Sequence, residues 1–336
     1  MTNASVVPRA EALRADGRGD EAAALLARAG DRGDAGALLQ LAIWRLMGTP
    51  VPRDLPEARR LLRRASALGS APAALMEVAL TANGSGAPAD WAAALEWQRE
   101  AARRDKVAAA QLELVEAMAL KPDGRPARLP EPEPLAPGGA VVRFPGLLTP
   151  AECEHLARTA ADLMEPATVV HPVTGAQIKH PHRTSDGAVI GPTRETLAVR
   201  AINLRVAAIS GTDVDQGESL TVLRYAPGQE YRPHHDALPR TGNQRVATVL
   251  LYLNYGFRGG ETVFPHYKLS VAPRGGDALL FLNTGLDGRP DPRALHAGAP
   301  VAAGVKWLAT RWIRARPFSP WTGPEAPPPA YDQTRS

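Results

Sequence analysis

Apolar positions in the first third of the chain recur at helical intervals. From residue 10 to residue 120 the sequence is rich in Ala, Leu, Arg and Glu, and the three-and-four spacing of its apolar residues predicts amphipathic helices throughout. The pattern also repeats with a period of 36. Ala22, Ala58 and Ala94 align, as do Leu25, Leu61 and Trp97, then Ala29, Ala65 and Ala101, then Ala37, Ala73 and Ala109. The first three positions of each unit, spaced i, i+3, i+7, share one helix face. Gly33 and Gly69 stand where one helix must turn into the next, with Asp105 at that place in the third unit. Asp54 and Asp90 stand where helix N-caps belong.

Beyond residue 120 the pattern changes class. Residues 121–139 hold six prolines, which predicts a semi-rigid linker. Leu147–Leu163 reads as one helix, with Thr149 as N-cap and Pro150 in its first turn. Short β-branched runs punctuated by Gly and Pro follow: Leu220–Tyr225, Val246–Leu253, Thr262–Phe264, Ala278–Leu282, Val301 and Trp307–Ile313. They predict an all-β sandwich or barrel over residues 140–318. The Pro-rich tail, residues 319–336, is expected to be disordered. A chain of 336 residues accommodates this two-domain division.

The helical part resembles the Sel-like class of tetratricopeptide-related repeats, best over Asp54–Ala65 and Asp90–Ala101. That resemblance implies a solenoid of about three units that engages a protein partner. Composition narrows the chemistry of the rest. A single cysteine, Cys153, rules out a disulfide scaffold, a Cys-ligated zinc finger and an iron–sulfur protein, but leaves a His/carboxylate metal site open. The net charge of +4 comes from arginines scattered along the chain without a basic block, so no nucleic-acid partner is expected. Apolar runs such as Val246–Leu253 are too short to cross a membrane. Residues 1–9 show no leader pattern, which together with the lone cysteine predicts a cytoplasmic protein. Lysine occurs only five times beside 34 arginines, so a lysine within a motif stands out.

One such motif lies late in the chain. In Tyr231-Arg-Pro-His234-His235-Asp236, an extended backbone places His234 and Asp236 on one face, with His235 opposite. His296 follows in a second segment. Two imidazoles and a carboxylate are the ligand set of non-haem Fe(II) oxygenases, which leaves coordination positions for a cosubstrate and dioxygen. Lys306 comes ten residues after His296. With 300–304 read as a turn, it falls on the neighbouring strand and shares a face with Leu308, Thr310 and Trp312. A buried lysine needs an anionic partner, and the far carboxylate of a 2-oxo acid is one.

These segments closely resemble the prolyl 4-hydroxylase family of Fe(II)/2-oxoglutarate dioxygenases over roughly residues 140–316. The resemblance is carried by residues 220–236, 245–253, 259–265, 269–281 and 296–307. It implies a double-stranded β-helix (jelly roll) with flanking helices. Iron is expected at His234, Asp236 and His296, with 2-oxoglutarate on Lys306 and L-ascorbate as a further cofactor. Tyr225 and Thr262 match positions that help hold the cosubstrate's far carboxylate, and Trp312 one that lines the same pocket. Arg245 matches an arginine directed at the peptide substrate, with a surface ion pair as the alternative. The chain departs from the family at Ala237, where an aromatic is common, and in the short loop 237–244. The implied activity is hydroxylation of a peptidyl residue, proline above all, in a protein. The alternatives are a free amino acid or other small molecule as substrate, or a non-catalytic repeat scaffold. Of the other histidines, His180 and His182 are expected in a solvent-exposed loop and His155 and His266 at the surface; Phe264 and Trp307 are expected in the core.

Overall fold

A computed structural model describes residues 6–170, 177–179, 182–239 and 241–323. The chain divides into two compact units, Met1–Arg125 with Pro192–Arg200, and Pro126–Gly191 with Ala201–Ser336.

Among the described residues of 1–125, seven helices follow one another: α1 (Val7–Ala15), α2 (Gly19–Asp31), α3 (Ala35–Met47), α4 (Leu55–Ala67), α5 (Ala71–Asn83), α6 (Trp91–Ala102) and α7 (Lys106–Ala117). The 36-residue repeat is one helix pair, α2/α3, α4/α5 and α6/α7. Asp54 and Asp90 cap α4 and α6 by accepting the Glu57 and Ala93 amides, each at 2.9 Å. Ala22, Ala58 and Ala94 are fully buried, so paired helices pack through methyl-sized side chains. The third unit is one residue shorter than the other two. Asp105 takes the place of the N-caps Asp34 and Ser70, and all three accept the amide three residues on. The buried counterpart of Ala37 and Ala73 is therefore Ala108, and Ala109 is only half-buried. Gly33 and Gly69 turn at φ +89° and +91°, a left-handed step that the shortened third unit omits.

The strands of the second unit, in chain order, are β1 (Glu133–Pro134), β2 (Val141–Phe144), β3 (Glu165–Pro166), β4 (Thr168–Val170), β5 (Gln177–Lys179), β6 (Asp186–Ile190), β7 (Leu220–Tyr225), β8 (Tyr231–His234), β9 (Arg245–Tyr252), β10 (Arg258–Gly259), β11 (Thr262–Phe264), β12 (Leu269–Val271), β13 (Ala278–Leu282), β14 (His296–Gly298), β15 (Val301–Ala303) and β16 (Lys306–Arg314). A large antiparallel sheet runs β1-β2-β13-β9-β16-β7-β6-β3, and a small one β12-β11-β14-β8. They share one core: Leu223, Tyr225, Leu250, Tyr252, Leu279, Phe281 and Leu308 from the large sheet meet Phe264 and Val271 from the small. Phe264 and Phe281 touch edge to face across it, 5.1 Å between centroids. Two packed antiparallel sheets with helices outside are the jelly-roll architecture implied by the family resemblance.

Two helices flank the sheets. In α8 (Pro150–Ala161), Thr149 and Glu152 form a reciprocal capping box. Glu152 is buried and pairs at 2.9 Å with Arg205 of α9 (Leu197–Ser210). The Pro-rich segment is not open linker to its end. Glu133–Pro134 pairs with β2 at the edge of the large sheet, and Ala136 is buried in the core. An edge strand leaves one side without a ladder partner, so it tolerates Pro134. Residues 324–336 of the expected tail lie outside the described residues; Ser319 and Gly323 form an isolated bridge.

The segment after His296 also differs from the turn read from its sequence. Val301–Ala303 is a strand, β15, paired with β10. It carries the chain from the small sheet to the large one. Lys306 thus stands on β16 between β7 and β9, not on a strand beside His296.

Candidate metal and cosubstrate site

Register brings the two histidines together. β8 and β14 are antiparallel neighbours in which His234 and His296 are direct partners. Asp236 lies two residues past the end of β8, where the chain bends rather than continuing extended. The bend turns its carboxylate between the imidazoles: His234 Nε2 is 3.7 Å from Oδ1 and His296 Nε2 3.6 Å from Oδ2. One ligand atom from each residue lies within 4.8 Å of the others. His235, between them, is exposed.

Each imidazole is oriented through its other nitrogen. His234 Nδ1 donates to the Arg232 carbonyl at 2.8 Å and His296 Nδ1 to the Ala294 carbonyl at 3.0 Å. With Nδ1 protonated, Nε2 presents its lone pair to the centre of the site, the arrangement a metal requires. The Tyr231 ring stacks on His234 at 3.5 Å, and Phe281 packs against His296 at 4.5 Å. Burial, reinforced by His296, lowers the His234 pKa to about 4, which keeps the ring neutral at physiological pH. Burial alone pushes the Asp236 carboxyl up. The two imidazoles and a 2.7 Å hydrogen bond from the Thr248 hydroxyl overcome it and hold Asp236 below its ordinary value. Two imidazole nitrogens and one carboxylate, converging on one point, fit a divalent iron ion.

A cavity opens beside this cluster, lined by Arg183, Tyr225, Tyr231, Leu250, Thr262, Leu308, Thr310, Trp312 and, opposite the histidines, Lys306. Alternation along β16 sends Lys306, Leu308, Thr310 and Trp312 to this face. Lys306 is 3% exposed and its Nζ donates to the Gly260 carbonyl at 2.6 Å. The Tyr225 and Tyr252 rings lie 5.5 and 5.6 Å from it. Among the described residues no carboxylate lies within hydrogen-bond distance of this ammonium; burial lowers its pKa to about 8 against the attraction of the more distant Glu261. A buried cation lacking a carboxylate at that distance, across a cavity from a metal triad, fits one end of a dicarboxylate.

Tyr225 and Thr262 both reach the cavity. Tyr225 pairs with Lys306 across the β7/β16 ladder, and its hydroxyl pKa is pushed by burial up to about 12, so it stays a donor. Thr262 Oγ1 is 2.8 Å from the hydroxyl of Tyr252, a buried residue that sequence reasoning passed over inside the apolar run of β9. Period-two alternation from Leu250 would have turned it inward. Arg183 also lines the cavity, its guanidinium 5.7 Å from the Tyr231 ring.

Arg245 forms an ion pair, the alternative left open beside a substrate contact. Its guanidinium makes two hydrogen bonds to Glu218, at 2.6 and 2.9 Å, and lies 4.1 Å over the Trp312 ring. Its charge also acts on Asp236 and Tyr231 beside the cavity, favouring their ionised forms. His182 and His266 are exposed, and His180 lies outside the described residues. His155 is half-buried rather than at the surface, and burial lowers its pKa to about 4. Phe264 is fully buried, whereas Trp307 is half-buried.

Residues 220–314, which contain the triad and Lys306, match the family described as the 2OG-Fe(II) oxygenase superfamily. Over 208 residues the chain is 38% identical to prolyl 4-hydroxylase 1 of Arabidopsis thaliana, covering 56% of this chain and 74% of that protein. It belongs to the prolyl 4-hydroxylase family of 2OG-Fe(II) oxygenases. Among solved structures, the viral collagen prolyl hydroxylase of Paramecium Bursaria Chlorella virus-1, as its 2OG complex, is 27% identical. The alignment covers 54% of this chain and 99% of that one, with a TM-score of 0.45. A Sel1 repeat protein from Oxalobacter formigenes is 29% identical, covering 30% of this chain and 44% of that one, with a TM-score of 0.28. As a family member the chain is an Fe(II)- and 2-oxoglutarate-dependent dioxygenase. No helix among its described residues is long and apolar enough to cross a membrane.

Proposed function

We propose that this dioxygenase hydroxylates a peptidyl residue, proline in the first place, of a protein substrate. The observation that carries the reading is the His234–Asp236–His296 cluster facing Lys306 across one cavity, in a chain related to prolyl 4-hydroxylases. Bound iron and 2-oxoglutarate supply oxidative decarboxylation to succinate and CO2, coupled to transfer of one oxygen atom of O2 to a C–H bond.

The chain's residues do the rest. His234, Asp236 and His296 would hold the metal. Lys306 pairs with the far carboxylate of 2-oxoglutarate, while Tyr225 and Thr262 offer it hydroxyl hydrogens. Leu223, Leu250, Leu308 and Trp312 wall the cavity with apolar surface and keep water out. The helix pairs of the first unit engage the protein partner. A cytoplasmic location and a requirement for L-ascorbate complete the proposal.

The test is incubation of the full chain with Fe(II), 2-oxoglutarate and arrays of proline-containing peptides, followed by succinate assay and mass spectrometry. Peptides gaining the mass of one oxygen atom, with His234→Ala inactive, support the reading. Product from free amino acids alone indicates a small-molecule substrate, and no succinate with any substrate indicates a scaffold.

A further inference from the structure

Asp236 is the end of a buried chain of hydrogen bonds. Thr248 Oγ1 donates to Asp236 Oδ2 at 2.7 Å, and Asn283 Nδ2 donates to Thr248 Oγ1 at 2.9 Å. Thr248 is fully buried and Asn283 is 1% exposed. The directions follow from the donor inventory. An ionised carboxylate only accepts, so the single hydroxyl proton of Thr248 goes to Asp236. The hydroxyl oxygen must then meet a donor, which only the NH2 end of Asn283 provides. Asn283 is itself held by its backbone, whose amide donates to Val246 O and whose carbonyl accepts from Asp291 N. Its Oδ1 is buried and meets no donor among the described residues. A buried, half-satisfied amide costs stability where an apolar side chain would not. Asn283 therefore serves the hydroxyl it orients more than the core it sits in.

We propose that Asn283, acting through Thr248, is a positioning residue that fixes the rotamer of Asp236 and so holds its carboxylate between the two imidazoles where a metal would be bound. Two features of the site make this consequential. Asp236 stands on a bend beyond β8, so no ladder fixes its side chain, and Thr248 on β9 of the large sheet reaches it from the opposite layer. The proposal rests on the triad as the iron site, and its test separates the two.

The experiment measures Fe(II) affinity of the full-length apo protein by anaerobic equilibrium titration, with circular dichroism as the fold control. The wild type binds and Asp236→Ala loses binding; failure of this arm overturns the triad rather than the relay. Thr248→Val is expected to weaken binding by about tenfold or more, and Thr248→Ser to restore it. Asn283→Leu is expected to weaken it by a smaller factor. In the Thr248→Val background, Asn283→Leu should have no further effect, because its path to Asp236 is already cut. Thr248→Val with unchanged affinity, or additive losses in the double variant, overturns the proposal. So does a Thr248→Ser variant that folds without recovering affinity.

Discussion

Lys306 and His296, ten residues apart in the chain, stand on opposite sheets and face each other across one cavity. The connecting strand β15 makes this crossing, so one short segment sets the distance between the metal triad and the cation. A dicarboxylate that bridges the two neutralises a charge to which the fold itself offers only the Gly260 carbonyl at hydrogen-bond distance and the more distant Glu261.

That burial has a pH signature. The Lys306 pKa falls from 10.5 to about 8, so between those values the unfolded chain holds a proton that the folded chain has released. Stability of the ligand-free protein should therefore rise with pH across this window, and the rise should vanish in Lys306→Met. Affinity for 2-oxoglutarate should run the other way and weaken as pH passes about 8. At neutral pH, Lys306→Met should weaken it by roughly tenfold to a hundredfold, from the ~1.5–3 kcal/mol of a charged hydrogen bond. Thermal melts and ligand titrations at several pH values check both.

Tyr252→Phe removes one hydroxyl from the pair with Thr262 and leaves the ring in place. We expect a stability loss of about 1 kcal/mol and a several-fold rise in KM for 2-oxoglutarate, with KM for the peptide unchanged. An unchanged cosubstrate KM would mean that Thr262 is positioned without its partner.

Glu152 and Arg205 are both buried, and the arginine also donates to the Leu147 carbonyl at 2.6 Å. Glu152→Ala strands the guanidinium and should cost about 3–5 kcal/mol in urea denaturation. The Glu152→Met, Arg205→Met double variant should recover much of it. A cost below about 1 kcal/mol for Glu152→Ala would show that water reaches the pair.

Gly30 sits within α2, where replacement by alanine ordinarily stabilises a helix by about 1 kcal/mol. Here an added Cβ would meet Leu38 Cδ2 at 2.4 Å, and Leu38 is 1% exposed. Gly30→Ala should instead cost about 1–3 kcal/mol, and the sign should reverse in a Leu38→Ala background. Chemical denaturation of the four variants gives the answer.

Much of this site was legible in the sequence because chemistry restricts residue type more tightly than geometry does. His234, Asp236 and His296 stood out by ligand type and spacing, and Lys306 by the rarity of lysine in an arginine-rich chain. Their placement was harder to read. The His234–Asp236 relation looked like strand alternation and is a bend, and Lys306 looked like a neighbour of His296 and lies across the sandwich. Both errors arise from reading local period as long-range register, which only pairing settles. Arg245 shows the limit for charged residues: nothing local announces that Glu218 and Trp312 will meet it. The repeat was readable until Asp105, where one missing residue shifted the frame.

The pairing of His234 with His296 also bears on assembly. The two residues are far apart in the chain, and their strands meet only when a late segment docks against an early one. Contacts of this kind close slowly, because the loop between them must be ordered first. A nascent or partly folded chain thus carries two isolated histidines and no chelate. The chelating geometry is thus a property of the closed β8/β14 ladder, and a chain in which those two strands are apart does not present the three ligands together.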